Sequence, residues 1–416
     1  MKKIFSQFID VYLREFRLVS KDMGLILFFV FLPLAYPIIY SLIYNTEVVR
    51  DVPLVVIDHD RTARSREMTR MLDATQEAWV IGYANDLPEA RRAMAQQDAF
   101  AILEIPEGFE RNIGREEQAK AVMYCDMTLL LRYRGFLVAA TNVMQNMSSD
   151  ITIERIDNIA PLATTVAQGD PMPISNISMG NIENGFDSFI MPGVIVLILQ
   201  QAVILAIGMA GGAKRERPEL IGYNPVNDTK SVAVTMLAQM GCYITILIVP
   251  VIFLLHYVPL IFAFPMAGNN LEIFAFIMPM ILASCGVGFM LQGVVRERES
   301  VFVIWVVTSV IFLFLSGLTW PRYAMGPVWT LISDLVPATW GVEGFIRMNT
   351  NGASLAQVQP CYIALWIQAV VYLALGYAVQ RWVVRPAIRR TAAARNSINA
   401  ATQTQQSGET VLNDNA

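Results

Sequence analysis

Three consecutive residues, Asp58-His59-Asp60, have side chains that could do chemistry together. Carboxylate oxygens and imidazole nitrogens are common metal ligands, so the triplet is a candidate metal site. Adjacent residues at the end of a strand rarely converge on one ion without a further ligand from elsewhere. The alternative is a turn in which the Asp60 carboxylate caps a helix beginning near Thr62. We favour the turn, and the sequence therefore predicts no bound metal.

The common catalytic patterns are missing from the sequence. The chain has only two histidines, His59 and His256, and no nucleophile elbow. Its four cysteines form no CxxC pair, which argues against a zinc ribbon or a thioredoxin-type redox site. There is no G-x-x-x-x-G-K-[ST] phosphate loop, so the chain cannot by itself be a P-loop ATPase. We predict no catalytic residues and no cofactor bound by this chain.

Polar side chains inside long apolar stretches form a second group of candidates. They could line a path for an amphipathic molecule, whereas the alternative is hydrogen bonding between helices. The candidates are Gln200, Gln201, Gln239, Cys242, Thr245, Thr308 and Ser309. No Lys, Arg, Asp or Glu lies in these stretches away from their ends, which argues against a proton relay.

The composition indicates the class of protein in which these groups lie. Of the 416 residues 55% are apolar and 16% are charged, whereas about 25% of an ordinary soluble domain is charged. Residues 45–187 hold 35 of the 66 acidic and basic side chains. We therefore expect an integral membrane protein that carries one soluble domain. The net charge of −4 provides no positive field for a nucleic acid partner.

Six apolar stretches are long enough to cross about 30 Å of hydrocarbon. The predicted spans are 23–44, 188–210, 231–257, 272–295, 301–319 and 361–380. Residues 1–22 alternate apolar and charged positions with helical spacing, which predicts an amphipathic helix on the membrane surface. Packing of this helix against soluble protein is the alternative. The tail, 381–416, is predicted to be disordered because its last part is rich in Asn, Thr, Gln and Ser.

Lys and Arg in the short loops predict the orientation. With the N-terminus inside, the inner segments are 1–22, 214–230, 296–300 and 381–395. They contain sixteen basic residues, against two in the short outer segments 258–272 and 322–360. Both termini are therefore predicted in the cytoplasm, and residues 45–187 outside.

The outer segment, 45–187, alternates strand and helix patterns. A buried strand is predicted at Pro53–Asp58, and further strands at 79–83, 99–105 and 120–124 have helical patterns between them. A long helix follows, marked by apolar residues from Tyr133 to Ile151 at alternating four- and three-residue spacing. The expected fold class is an α-helical polytopic membrane protein with six transmembrane helices and an inserted α/β domain.

Four stretches carry a resemblance to a known family. They are Tyr12-Leu-Arg-Glu-Phe-Arg17 with Asp22 and Pro33; Val55-Val-Ile-Asp58-His-Asp60 with Ser65-Arg66-Glu67; Phe186-Asp187-Ser-Phe-Ile-Met191-Pro192-Gly193; and Ser316-Gly317-Leu-Thr-Trp-Pro321 with Met325, Pro327, Leu335-Val-Pro337 and Gly344-Phe-Ile-Arg347. Together with the order of parts, they resemble the permease subunit of a type-2 ATP-binding cassette (ABC) exporter with a large periplasmic domain. The resemblance covers nearly the whole chain.

The resemblance implies a location and a set of partners. The chain would lie in the bacterial inner membrane, with 45–187 in the periplasm and a re-entrant segment at 320–360. A separate ABC ATPase would bind ATP and Mg, and a second permease chain, identical or a paralogue, would complete the transporter. A periplasmic membrane-fusion adaptor is a further implied partner. The cargo would be an amphipathic drug-like or lipid-linked compound.

A permease without a nucleotide site needs a surface against which its ATPase can push. The cytoplasmic loop 211–230 combines charge with a short apolar run and is the candidate, whereas a solvated loop that only enforces topology is the alternative. Family members often carry an R-E-R-G-T-like turn here, and in this chain Pro218-Glu219 replaces the Gly-Thr step. The candidate coupling residues are Arg215, Glu216, Arg217, Glu219 and Leu220.

Two other functions compete with export. A membrane-anchored periplasmic sensor or envelope-assembly scaffold would also carry an outer domain. A sensor usually has fewer spans and needs a cytoplasmic output domain, which the predicted tail does not provide. A membrane enzyme is disfavoured because candidate catalytic groups are scarce.

Overall fold

A computed structural model describes residues 2–44, 48–159, 180–181, 185–216 and 231–390. The chain divides into two compact units. The smaller unit contains residues 46–178, and the larger contains residues 1–45 and 179–416.

The described residues are mostly helical. The helices are α1 (Lys2–Lys21), α2 (Met23–Ile26), α3 (Leu32–Ile43), α4 (Ala63–Asp73), α5 (Leu87–Ala95), α6 (Phe109–Gly114), α7 (Leu130–Ile159), α8 (Phe186–Glu216), α9 (Val232–Ile252), α10 (Val258–Ile261), α11 (Asn270–Val294), α12 (Ser300–Leu315), α13 (Pro327–Asp334), α14 (Pro337–Asn351) and α15 (Gln359–Val379). The strands are β1 (Val52–Asp58), β2 (Ala78–Tyr83), β3 (Ala101–Ile105) and β4 (Val122–Cys125).

The strands of the smaller unit form one sheet in the order β2-β1-β3-β4. β1 is parallel to β2 and β3, and β4 is antiparallel to β3. Leu54 and Val56 of β1 point to the face on which α4 and α7 pack, whereas Val55 and Ile57 point to the face covered by α5. Because both faces are buried, β1 is apolar at successive positions instead of alternating. The strands and helices follow the order predicted from the sequence.

Helix α8 is the centre of the larger unit. Nearly every side chain from Met191 to Ala213 is buried, as expected of a helix that is apolar on all sides. Helices α3, α11, α12 and α14 pack against it. Small residues allow close helix contacts, which is common in membranes. Gly344 of α14 lies against the ring of Phe276 on α11, and Gly286 of α11 lies against the backbone of α15 at Tyr372.

Within the described residues, five helical stretches are long and apolar enough to cross a membrane. They are Met23–Ile43, Phe186–Glu216, Val232–Ile261, Asn270–Val294 and Gln359–Arg390. The stretch predicted as the fifth span, 301–319, contains α12, an apolar helix of 16 residues. It is shorter than the roughly 20 residues that a perpendicular helix needs to cross the hydrocarbon. The fold is that of a polytopic membrane protein with five full-length candidate spans.

Each of three π-helical turns ends two residues before a proline. The turns Leu27–Phe31, Phe253–Tyr257 and Gln380–Val384 precede Pro33, Pro259 and Pro386. A proline has no N–H to donate, and its ring clashes with the carbonyl one turn earlier. A widened turn accommodates both effects without ending the helix.

Two predicted boundaries are wrong. The coupling loop was predicted to begin at residue 211, but α8 continues to Glu216 because Gly211 and Gly212 let it pack closely against Gln292 and the backbone of Arg298. The tail was predicted to be disordered from residue 381, but the last helix continues to residue 390. Burial of Val384 in the bundle explains this continuation.

Candidate functional site

A buried ion pair joins three helices of the larger unit. Glu15 on α1 is completely buried, and its Oε1 lies 2.6 Å from Nζ of Lys214 in the last part of α8. From α9, the Gln239 amide donates a hydrogen bond to the same oxygen at 2.8 Å, and the Tyr243 hydroxyl donates one to Oε2 at 3.0 Å. Both carboxylate oxygens are therefore bonded, as a buried charge requires. We call these four residues the inner cluster.

The position of Glu15 follows from the three faces of α1. One face carries Val11, Glu15, Leu18 and Val19, all of which are buried. A second carries the charged residues Asp10, Arg14, Arg17 and Lys21. The third is an exposed apolar stripe that consists of Phe5, Ile9, Leu13 and Phe16. Glu15 was not among the residues predicted to be functional. A detectable signal was present, because this single carboxylate lies four residues after Val11 and three before Leu18, on the apolar face of the helix.

A second set of contacts surrounds the end of α8. The Arg215 guanidinium donates hydrogen bonds to the carbonyl oxygens of Gln292, at 2.6 Å, and Val295 at the end of α11. The Glu216 carboxylate accepts one from the backbone N–H of Arg298 at 2.7 Å. The guanidinium of Arg298 in turn lies 2.5 Å from the Asp22 carboxylate. We call Asp22, Arg215, Glu216 and Arg298 the end cluster.

Asp22 has two roles in this end cluster. Its carboxylate accepts hydrogen bonds from the backbone N–H groups of Gly24, at 2.9 Å, and Leu25, at 3.2 Å, so it caps α2 where α1 ends. The same oxygen pairs with Arg298. The bend between α1 and the first candidate span is thus tied to the turn between α11 and α12 and, through Glu216, to α8.

The end cluster contains two of the five predicted coupling residues. Arg215 and Glu216 lie on the last turn of α8 and hold it to the α11–α12 turn. The other three, Arg217, Glu219 and Leu220, lie outside the described residues. Residues 211–216, the described part of the predicted coupling loop, are therefore the end of α8 and are bonded to α11 and the α11–α12 turn.

The predicted polar path residues do not converge on one site. Gln200 is buried and accepts a hydrogen bond from the backbone N–H of Ala338 at 2.6 Å, so it anchors the start of α14. Gln239 belongs to the inner cluster, and Cys242 is buried beside it on α9. The hydroxyl groups of Thr245 and Thr308 bond to carbonyl oxygens of their own helices at 2.8 Å.

Gln201 and Ser309 do share a cavity, of about 260 Å³, between α3, α8 and α12. We call it the membrane groove. Its walls are mainly apolar and include Tyr36 and Trp305. Gln201 is 6% exposed, and within the described part of the chain neither of its amide atoms, nor the indole N–H of Trp305, has a hydrogen-bond partner. An unpaired buried polar group costs about 1–3 kcal/mol, so the groove suits a ligand that can pair with these atoms.

The Asp58-His59-Asp60 triplet of the smaller unit forms a turn. The Asp60 carboxylate accepts hydrogen bonds from the backbone N–H groups of Gly108, Phe109 and Glu110 at 2.8–3.1 Å, so it caps α6. The prediction that Asp60 caps the next helix is wrong, because Thr62 caps α4. The described residues contain no cluster of three or more His, Cys, Asp or Glu side chains suited to a metal ion.

Comparison with known families assigns the chain to a protein family. A family model described as "ABC-2 family transporter protein" matches residues 23–378. A search of curated proteins gave no match. The matched range begins after α1 and covers the smaller unit and most of the larger one, with the membrane groove and the end of α8. Because this match covers most of the 416 residues, the chain belongs to the ABC-2 family of transporter proteins.

Proposed function

We propose that the chain is the permease subunit of an ATP-driven exporter, and that a separate ABC ATPase hydrolyses the nucleotide. The family match over residues 23–378 carries this proposal. The absence of a phosphate loop from the sequence is consistent with it. The proposed cargo is an amphipathic drug-like or lipid-linked compound that leaves the cytoplasm or the inner leaflet.

The end cluster supports a route for the ATPase movement. A partner that pushes on residues 217–230 would move Arg215 and Glu216 directly, because these residues end α8. The hydrogen bond from Arg298 to Glu216 and the ion pair between Arg298 and Asp22 would then pass the movement to α12 and α2. Coupling of this kind needs packed elements that move together.

The membrane groove supports a path for cargo between α3, α8 and α12. Its apolar walls suit an apolar body, and the unpaired Gln201 amide can both donate to and accept from a polar group. Among the predicted path residues we therefore keep Gln201 and assign Gln200 and Gln239 to structural hydrogen bonding.

The exposed apolar surface of α12 is the proposed contact with a second permease chain. Val303, Val306, Val310 and Phe314 are each more than half exposed and recur at three- and four-residue spacing beside the membrane groove. A second copy, or a paralogue, packed on this stripe would enclose the groove and complete the transporter.

The charge distribution supports an orientation. Basic residues are concentrated in segments 1–22, 214–230, 296–300 and 381–395, so we propose that both termini face the cytoplasm and that the chain lies in a bacterial inner membrane. Residues 45–187 would then lie in the periplasm. With a net charge of −9, counted as 13 basic minus 22 acidic residues, they could contact a periplasmic membrane-fusion adaptor.

The groove is tested by reconstituting the chain with its ATPase in liposomes and measuring ATP-dependent movement of a fluorescent lipophilic amine. Gln201→Leu keeps the volume but removes both hydrogen-bonding atoms, so transport of the amine should fall. Thr245→Val is the control, because Thr245 is exposed and its hydroxyl donates to the Gly241 carbonyl oxygen of its own helix. Equal transport by both variants would contradict a role for the groove.

A further inference from the structure

The smaller unit carries a cluster of exposed apolar side chains where α7 begins. Met127 and Leu130 are 65% and 76% exposed, and Leu129 is 45% exposed. Leu130 is the first residue of α7, and the other two belong to the turn that leads into it. Single exposed apolar residues are ordinary, whereas a cluster of them marks a contact with a protein or a membrane. We call these three residues the apolar tip.

The apolar tip lies at the end of the smaller unit where β1 and β2 begin. A Cβ at Gly135 would lie 3.6 Å from the carbonyl oxygen of Val49, which precedes β1, and 3.9 Å from Cβ of Glu77, which precedes β2. Further along α7, the Arg155 guanidinium donates to the Ile113 carbonyl oxygen of α6 at 2.6 Å. Because an α-helix rises about 1.5 Å per residue, Leu130 lies about 7 Å from Gly135 along the helix axis, on the side away from Arg155.

Polar contacts hold the turn that presents the apolar tip. The backbone N–H of Asp126 donates to the Phe100 carbonyl oxygen at 2.9 Å, and its carboxylate accepts from the N–H and the hydroxyl of Thr128, both at 2.9 Å. The Arg132 guanidinium lies over the Phe100 ring, 3.9 Å from its centroid. The exposure of the three apolar side chains is therefore a feature of a fixed turn.

The length of the chain keeps this end of the smaller unit close to a membrane. Tyr44 directly follows α3, the last helix of the first candidate span, and Val49 lies five residues further on. Five residues reach at most about 18 Å even when fully extended. Val49 therefore lies within that distance of the end of the span. A lipid surface is thus the apolar partner nearest to the tip.

We propose that the apolar tip inserts into the surface of the phospholipid bilayer and anchors the smaller unit there. Apolar faces that lie in a membrane interface are buried about 5–10 Å below the headgroups, a depth that side chains at the end of a helix can reach. The apolar side chains supply the binding, so no particular headgroup charge is needed. The anchor requires that the chain crosses a membrane but not that it exports a cargo.

Photocross-linking of the full-length chain in phosphatidylcholine nanodiscs tests the proposal. The photoreactive residue p-benzoylphenylalanine replaces Met127 or Leu130, and mass spectrometry measures the lipid adducts. Tyr83 is the matched control position, because it is also 65% exposed but ends β2 at the opposite end of the unit. Ile367, 59% exposed on α15, gives the yield within a candidate span. We expect adducts at positions 127 and 130 to exceed those at position 83 by at least about fivefold.

Charged substitutions in the apolar tip provide a second test. With the photoreactive residue at position 127, Leu129→Asp/Leu130→Asp should lower the adduct yield to that of position 83, because carboxylates resist burial in lipid. Gln145→Asp, at an exposed position about four turns further along α7, should leave the yield unchanged. The proposal fails if position 130 gives no more lipid adduct than position 83, or if the double variant keeps the full yield. It also fails if position 130 cross-links to a second copy of the chain instead of lipid, since the tip would then be an interface between copies.

Discussion

A charged pair is buried in the larger unit where neighbouring helices supply hydrogen-bond partners. Glu15 and Lys214 lie on α1 and α8, and two residues of α9 complete the hydrogen bonding of the carboxylate. A buried ion pair contributes little net stability over an apolar pair of the same shape, but removal of one partner leaves an uncompensated charge. The inner cluster therefore specifies how these three helices fit together.

Glu15→Gln tests the inner cluster. The ammonium group of Lys214 would lose its counter-charge, so the free energy of unfolding should fall by about 3 kcal/mol. Unfolding in detergent micelles, followed by circular dichroism, measures the loss. The double variant Glu15→Gln/Lys214→Met should recover most of it, because no charge then remains unpaired. A single variant as stable as wild type would show that the pair does not hold α1.

Asp60→Asn tests the turn formed by Asp58-His59-Asp60, in which the Asp60 carboxylate caps α6. Burial would raise the pKa of the Asp60 carboxyl, but hydrogen bonds from the Thr62 hydroxyl and from the N–H groups of Glu110, Gly108 and Phe109 outweigh it and lower that pKa below its usual 3.8. Because the folded pKa is below the unfolded one, the cap contributes fully above about pH 4. Its contribution is lost as the pH falls through the folded value.

Hydrogen exchange of α6 in the full-length chain measures this dependence. At pH 7 the amides of Phe109–Gly114 should exchange faster in Asp60→Asn than in wild type, and the difference should shrink as the pH falls below about 4. Asp150→Asn, at an exposed position on α7, is the control and should leave α6 unchanged. A difference that persists unchanged at low pH would contradict the ionised cap.

The end cluster connects three elements of the larger unit: the end of α8, the α11–α12 turn and the α1–α2 bend. Each of these connections uses a charged side chain. Movement at the end of α8 would therefore reach α2 and α12 through few contacts. These contacts are accessible to single substitutions.

Asp22→Asn separates the two roles of Asp22. Asparagine still caps α2, but it no longer carries the charge that pairs with Arg298. ATP-driven transport by the reconstituted complex should fall by about fivefold while ATP hydrolysis continues. Lys21→Gln, at the exposed neighbouring position, is the control. Unchanged transport by Asp22→Asn would exclude this ion pair from coupling.

Gly286→Ala tests the close contact between α11 and α15. An added Cβ would lie 2.6 Å from the carbonyl carbon of Tyr372 and 2.8 Å from the nitrogen of Leu373, so backbone would have to move. We expect a loss of about 1–3 kcal/mol in the free energy of unfolding in micelles. Gly241→Ala is the matched control, because its nearest neighbour is the ring of Phe8 at 3.5 Å. Equal stability of the two variants would contradict tight packing at Gly286.

Local patterns in the sequence predicted most elements but few of their contacts. The order of strands and helices from Val52 to Ile159 follows from apolar periodicity, which a short window reveals. The partner of Asp60 was not predictable in this way, since Gly108 lies 48 positions further along the chain. The ends of α8 and of the last helix were misplaced because packing at Gly211 and Val384 extends them beyond the uncharged sequence.

Across the whole molecule, the sequence predicted some of the residues at the candidate sites but not which of them interact. The composition predicted the membrane class, and the polar residues of the apolar stretches were recognised individually. In the described residues the Gln200 oxygen has a partner on another helix, whereas the Gln200 nitrogen and both amide atoms of Gln201 have none. Because such a partner comes from another helix, sequence could not distinguish Gln201 from Gln200. Glu15 was missed because its partner Lys214 is 199 positions away, the difference between the two residue numbers.

The dependence of transport on a separate ATPase tests the central claim most directly. Liposomes that contain the chain alone, the chain with its ATPase, or the chain with a hydrolysis-deficient ATPase are loaded with ATP and a fluorescent lipophilic amine. We predict uphill movement of the amine only in the second preparation. Uphill movement by the chain alone, without a nucleotide-hydrolysing partner, would contradict the account.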